Sequence, residues 1–133
     1  MAVSLLIDGH DIRWIFFAII AEGGGGRGEV KGMQQVFAEP EGFLGALDGF
    51  LNRQGEKLPD VDALYAVPGP GSFTACRTSI ALVNGIAWTR SLPLFSIPPL
   101  SAPTVEDVRD ALAQAKPVLL PLAPAYDRPP TIT

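Results

Sequence analysis

The sequence predicts a mixed α/β domain in which an antiparallel meander feeds crossover helices and parallel strands. Three observations carry this expectation. The chain has 133 residues, 47% of them apolar, the size and content of one domain with a real core. Short apolar runs bounded by Gly and Pro read as strands. Longer stretches carry apolar residues at helical spacing, and the order that results is β-β-β-α-β-α-β, then α-β.

Each element has its own signal. Val3 to Asp8 is a short apolar run that ends in Asp-Gly, a buried strand meeting a turn. Arg13 to Ala21, rich in Ile, Phe and Trp, reads as the second strand. Gly23 to Gly28 has five glycines around Arg27 and predicts a loose hairpin connection. Glu29 to Phe37 returns as the third strand. Pro40 sits where a helix can begin, and Glu41 to Arg53 carries Phe43, Leu44, Leu47, Phe50 and Leu51 at helical spacing. Asp62 to Val67 is an apolar strand that stops at Pro68-Gly69-Pro70-Gly71. Ser72 is placed to cap a long second helix that reaches about Ser91. Leu92 to Ile97 is a strand closed by Pro98-Pro99. Thr104, with Asp107 three residues on, predicts a third helix through Val105, Val108 and Leu112. Val118 to Leu122 is a candidate further strand, and Tyr126 to Thr133 reads as a tail.

A meander feeding right-handed crossovers gives a mixed sheet, here of five strands, with the later strands parallel. That is the ribonuclease-H-like half-domain, repeated in actin-like ATPases and sugar kinases. Residues 1–100 form this unit, and 101–133 add a helix, a short strand and a tail.

Composition narrows the function classes. The net charge is −4 and the pI near 4.8, so the chain has no electrostatic footprint for gripping a phosphate backbone. Cys76 is the only cysteine and His10 the only histidine, which rules out an internal disulfide and a multi-histidine metal cluster. The N-terminus lacks the basic-then-apolar pattern of a secretory signal. The longest apolar run, Trp14 to Ala21, falls far short of the roughly 20 residues a membrane helix needs. The expectation is a cytoplasmic protein with no membrane partner.

The stretch Asp60 to Leu100 reads DVDALYAVPGPGSFTACRTSIALVNGIAWTRSLPLFSIPPL. Its Asp62, Ala66, Val67, Gly69, Pro70, Gly71, Ser72, Phe73, Thr74 and Arg77, followed by Gly85, Ala87, Pro93 and Leu100, resemble the signature of the TsaB (YeaZ) family. Leu5-Leu6-Ile7-Asp8 is similar to the family's opening strand. Departures are Ala75 where the family has Gly, Asn84 before Gly85, and the absence of a second lobe past Leu122. Val118 to Ala123 looks like the start of that lobe. The resemblance implies a non-catalytic actin-like subunit without a cofactor, a pseudo-enzyme in forming threonylcarbamoyladenosine beside the tRNA anticodon. It implies a heterodimer with the catalytic paralogue TsaD through two helices, and TsaE as a further possible partner. It also implies self-association when alone, and only indirect contact with tRNA.

The residues themselves speak to the same surface. On the first helix Phe43, Leu47 and Phe50 share one face, while Gly42, Gly45 and Gly49 line the opposite side, where something could approach closely. The second helix is apolar nearly all round: Phe73, Cys76, Ile80, Val83 and Ala87 form one stripe, Ala75, Leu82 and Ile86 another, Ala81 and Trp88 a third. A helix of that kind is buried on more than one side. Phe43, Leu47, Phe50, Phe73, Arg77, Ile80, Asn84 and Trp88 are therefore the candidate partner-interface residues.

Other sites were weighed against plainer readings. The signature loop Gly69-Pro70-Gly71-Ser72 leads backbone N–H groups into a helix N-terminus, with Arg77 one turn inside; it reads as a capped turn rather than a P-loop, since the Gly-Lys-Ser/Thr ending is absent. Asp8-Gly9 sits where kinases of this fold hold phosphates and nucleases hold metal. An actin-like ATPase or kinase, or a metal-dependent nuclease, centred on Asp8 is thus the enzymatic alternative, with Asp62 and Glu29 as further carboxylates by order. A degenerate stand-alone homodimer is the third reading.

Overall fold

A computed structural model describes residues 3–22 and 28–124. The connection expected at Gly23 to Gly28 and the tail from Tyr126 fall largely outside the described residues. Strands β1 (Val3–Asp8), β2 (Trp14–Glu22) and β3 (Gly28–Phe37) form the antiparallel meander. Helix α1 (Phe43–Gln54), strand β4 (Val61–Ala66), helix α2 (Phe73–Arg90) and strand β5 (Leu94–Ser96) follow. Helix α3 (Val105–Ala113) and strand β6 (Lys116–Val118) complete the described chain.

The sheet has six strands in the order β3-β2-β1-β4-β5-β6, one more than expected. β1 and β4 are parallel, as are β4 and β5, which is what right-handed crossovers through α1 and α2 require. The added strand β6 runs antiparallel to β5 and precedes the expected Val118–Leu122, because the chain reverses tightly after α3.

The strands near the centre are buried on both faces and so carry continuous apolar runs. One core, under α1 and α2, joins Leu5, Ile7, Ile15, Phe17 and Ile19 to Phe43, Leu47, Phe50, Ile80 and Val83. The Phe17 and Phe50 rings stack there at 5.3 Å. The other core, under α3, joins Leu6, Phe16, Ala18 and Ile20 to Ile97, Val108 and Ala111. Fully burying each Leu, Ile, Val or Phe side chain among these is worth about 1.5–3 kcal/mol.

Local chemistry sets the helix ends. Pro40 opens a single 3-10 turn, Pro40–Gly42, so α1 starts two residues later than its apolar pattern suggests. It stops at Gly55, whose φ of 69° suits a residue without Cβ. Ser72 caps α2 by accepting the Ala75 N–H, and Thr104 caps α3 by accepting the Asp107 N–H at 3.1 Å. Between β1 and β2, Arg13 hydrogen-bonds Asp11 and holds that carboxyl below its usual range.

Candidate functional site

The carboxyl end of β1 and the loop after β4 meet at one end of the sheet. Asp8 is fully buried there, which demands partners for both its oxygens. The His10 N–H donates to one oxygen at 3.2 Å, and the His10 imidazole Nδ1 engages the same oxygen. The Leu100 N–H donates to the other at 3.2 Å. His10 in turn accepts the Ser72 N–H on its carbonyl at 2.9 Å, while Ser79 Oγ donates to the Gly9 carbonyl. Asp8 therefore ties the β1 end to the segment after β5, and through His10 to the signature loop.

Asp62 and Glu29 do not join it. Val3 pairs with Val61, and Val3 also pairs with Ala21, whose partner on β3 is Glu29. Both carboxylates thus lie at the opposite end of the sheet from Asp8. Among the described residues no three His, Cys, Asp or Glu side chains are grouped to hold a metal ion.

The signature loop is a strand-to-helix turn. Gly69 has φ 129°, a backbone region that side chains disfavour, and its peptide to Pro70 is cis. Gly71 lies so close to His10 that a Cβ there would sit 2.3 Å from the His10 carbonyl oxygen. The loop packs on the turn after β1, and Ser72 spends its hydroxyl on the helix cap. Its glycines serve close packing.

The two-helix surface differs from expectation residue by residue. Phe43, Leu47, Phe50 and Ile80, expected at a partner interface, are between 0% and 3% exposed and belong to the monomer's own core. The physical reason is that α1 and α2 lie side by side on one sheet face, and their richest apolar sides are used to cover it. Asn84 is also internal: it accepts the Leu122 N–H at 2.9 Å and donates to the Leu122 carbonyl at 3.0 Å. Its amide mimics a neighbouring strand and clamps the segment after β6 against α2.

What α2 leaves outside is a ridge of Phe73, Arg77, Ala81, Gly85 and Trp88, spaced by four, four, four and three residues. Trp88 is 78% exposed and Phe73 41%. A Cβ built on Gly85 meets nothing within 4 Å, and the same holds for Gly45 on the outer side of α1 beside exposed Leu44. Large apolar side chains standing over small ones in this way form a surface to which another backbone can come close. Phe73, Arg77 and Trp88 are the expected interface residues that are available.

Replacing Asn84 by Ala removes both clamp bonds. The expected cost is about 1–2 kcal/mol, with amide exchange at Leu122 rising at least about tenfold while exchange in β1 stays slow. Equal protection in the two proteins means that the clamp does not hold the segment.

No protein-family model matches the chain. It is 38% identical over 60 residues to the tRNA threonylcarbamoyladenosine biosynthesis protein TsaB of Haemophilus influenzae, a stretch covering 45% of this chain and 25% of that protein. Among solved structures, YeaZ from Pseudomonas aeruginosa superposes with a TM-score of 0.59 at 24% identity, over 76% of this chain and 46% of that one. RuvC of Thermus thermophilus, solved with a Holliday junction substrate, superposes with a TM-score of 0.52 at 16% identity, over 86% of this chain and 99% of that one. The sheet is thus ribonuclease-H-like, and the likeness to the TsaB (YeaZ) family is borne out in sequence and in fold. The alignments span a quarter of the curated relative and under half of the YeaZ chain.

Proposed function

We propose, from this kinship with TsaB, that the chain is a non-catalytic partner subunit in the formation of threonylcarbamoyladenosine on tRNA, and that it docks the catalytic paralogue TsaD through the outer ridge of α2. The observation that carries the reading is Trp88, which stands 78% exposed on a helix whose Ile80, Val83 and Ile86 are used internally. An exposed Trp and an Arg on one ridge, with small residues between them, are residue types enriched at interface hot spots. Arg77 and Phe73 lie about three and four turns from Trp88 along the same ridge, and Leu44 on α1 is exposed as well. The partner role also agrees with Asp8. Its carboxylate is spent on the protein's own backbone and His10, which is the arrangement of a structural link.

The test is a pull-down of TsaD from the same source by the full chain, with Trp88→Glu and Phe73→Ser as variants. Each variant is expected to lower the affinity at least about tenfold, with the melting temperature changed by little, because neither side chain is part of the core. Retention of TsaD by both variants at wild-type level overturns the assignment of this ridge; no retention by the wild type overturns the reading itself.

A further inference from the structure

β3 is an edge strand, and its two halves are built differently. The half that starts at Gly28 carries Glu29 and Lys31, and Lys31 is an extra residue bulged out where Ile19 pairs with Gly32 and Ile20 with Val30. A bulge and a charged side chain are the devices that keep an edge from pairing with other chains. The other half, Met33-Gln34-Gln35-Val36-Phe37, has no charge, no proline and no bulge.

Among the described residues, which backbone groups of that half have no partner in the sheet can be read from the ladder. Ala38 donates its N–H to Arg13 across from β2 at 3.1 Å, which makes Arg13 and Ala38 a hydrogen-bonded pair. Such pairs alternate along antiparallel strands, so Val36 and Gln34 also turn inward. Met33, Gln35 and Phe37 then direct N–H and C=O away from the sheet. Phe37 is 82% exposed, directly across from half-buried Trp14. Val36 and Ala38 pack on the core under α1, so Phe37 and Glu39 share the other face, with Glu39 still in extended backbone. Glu39 and Glu41 are close enough that the Glu41 carboxyl holds Glu39 above its usual range, while Glu41 itself lies below it. The pair gives this end of the edge an acidic character that is complementary to a basic side chain.

We propose that the Met33–Phe37 edge receives an extended peptide segment of another protein as an added strand, which sets an apolar side chain on Phe37 and Trp14 and a basic side chain, two residues away, on Glu39 and Glu41. The backbone supplies an extended occupant, Phe37 an apolar one, and the carboxylate pair a basic one. Spacing by two follows from the pleat, whichever way the peptide runs. A second copy of this chain fits poorly. Pairing β3 with itself about Gln35 brings Lys31 opposite Glu39, but Lys31 is the bulged residue and is turned to Glu56 on the α1 side at 3.7 Å. Five paired residues also fall short of the roughly 1,200 Å² of a stable interface. This surface is separate from the α2 ridge, and its test stands apart from that reading.

The test is fluorescence anisotropy of the labelled peptide Ser-Lys-Thr-Phe-Thr-Val-Ser with the full chain. Saturable binding with a Kd of about 100 µM is expected. Phe37→Ser, at an exposed position that leaves folding intact, and a peptide with Glu in place of Lys are each expected to weaken binding about five- to tenfold. N-methylation of alternate peptide amides is expected to abolish it in one register. Absence of saturable binding up to about 1 mM, equal binding of every methylated peptide, or equal binding by Phe37→Ser overturns the proposal. So does a dimer in sedimentation at about 100 µM that Phe37→Ser dissolves, since the occupant is then a second copy.

Discussion

Phe50→Ala is expected to destabilise the chain by about 3–5 kcal/mol, whereas Leu44→Ala on the same helix is expected to cost under about 0.5 kcal/mol. Phe50 is 0% exposed and stacked on Phe17 beneath α1, so truncation leaves a cavity bounded by the sheet itself. Leu44 is 65% exposed and gives up little on removal. A domain of this size has about 5–15 kcal/mol of stability in total, so the first variant loses a large fraction of it. Urea titration followed by far-UV circular dichroism measures both. A small loss for Phe50→Ala, or a loss of similar size for Leu44→Ala, contradicts the division of α1 into an inner and an outer face.

Gly71→Ala is expected to cost about 2–3 kcal/mol, although it adds one methyl group. The new Cβ meets the His10 carbonyl oxygen at 2.3 Å and the His10 carbonyl carbon at 3.0 Å, and backbone cannot swing aside as a side chain end can. Relief requires moving the signature loop off the β1 turn, with loss of the bond from Ser72 N–H to the His10 carbonyl. Gly85→Ala is the control. Nothing lies within 4 Å of its Cβ position, and alanine in a helix interior is favoured over glycine by about 0.5–1 kcal/mol, so stability should rise. Opposite signs in calorimetry at two glycines of the same signature separate a packing glycine from a surface glycine.

Much of the architecture was legible because local signals agree with the tertiary result. Ser72 and Thr104 mark helix starts, and the apolar runs of β1 and β2 are continuous because helices cover both sheet faces, whereas the Gly55 that ends α1 was not singled out. Periodicity located α1 and α2 but could not say which apolar side looks inward. In α1 Phe43 and Leu44 are adjacent in one apolar stripe, yet the first is buried and the second exposed. In α2 four residue types suited to an interface, at Phe73, Ile80, Asn84 and Trp88, have three different fates: Ile80 is in the core, Asn84 clamps Leu122, and the two aromatics face out. Each fate depends on the helix's rotation over the sheet, which is set by contacts far away in sequence. The Asp8 hub was missed for the same reason. Asp8 and His10 are visible as a local turn, but the third donor is Leu100, ninety-two residues on. The exposed half of β3 was overlooked because a strand sequence does not reveal whether it lies at an edge.

The sheet order has a kinetic consequence. β1 finds β2 and β3 through short hairpins, but its other neighbour, β4, begins about sixty residues later in the chain. Closing so long a loop loses chain entropy before any parallel pairing compensates it. On these grounds the meander is expected to assemble early and the β4–α2 unit to dock late. Substitutions in the hairpin core, such as those around Phe16 and Ile19, act on the refolding rate, whereas loosening the contact of Ser79 with Gly9 acts mainly on the rate of unfolding.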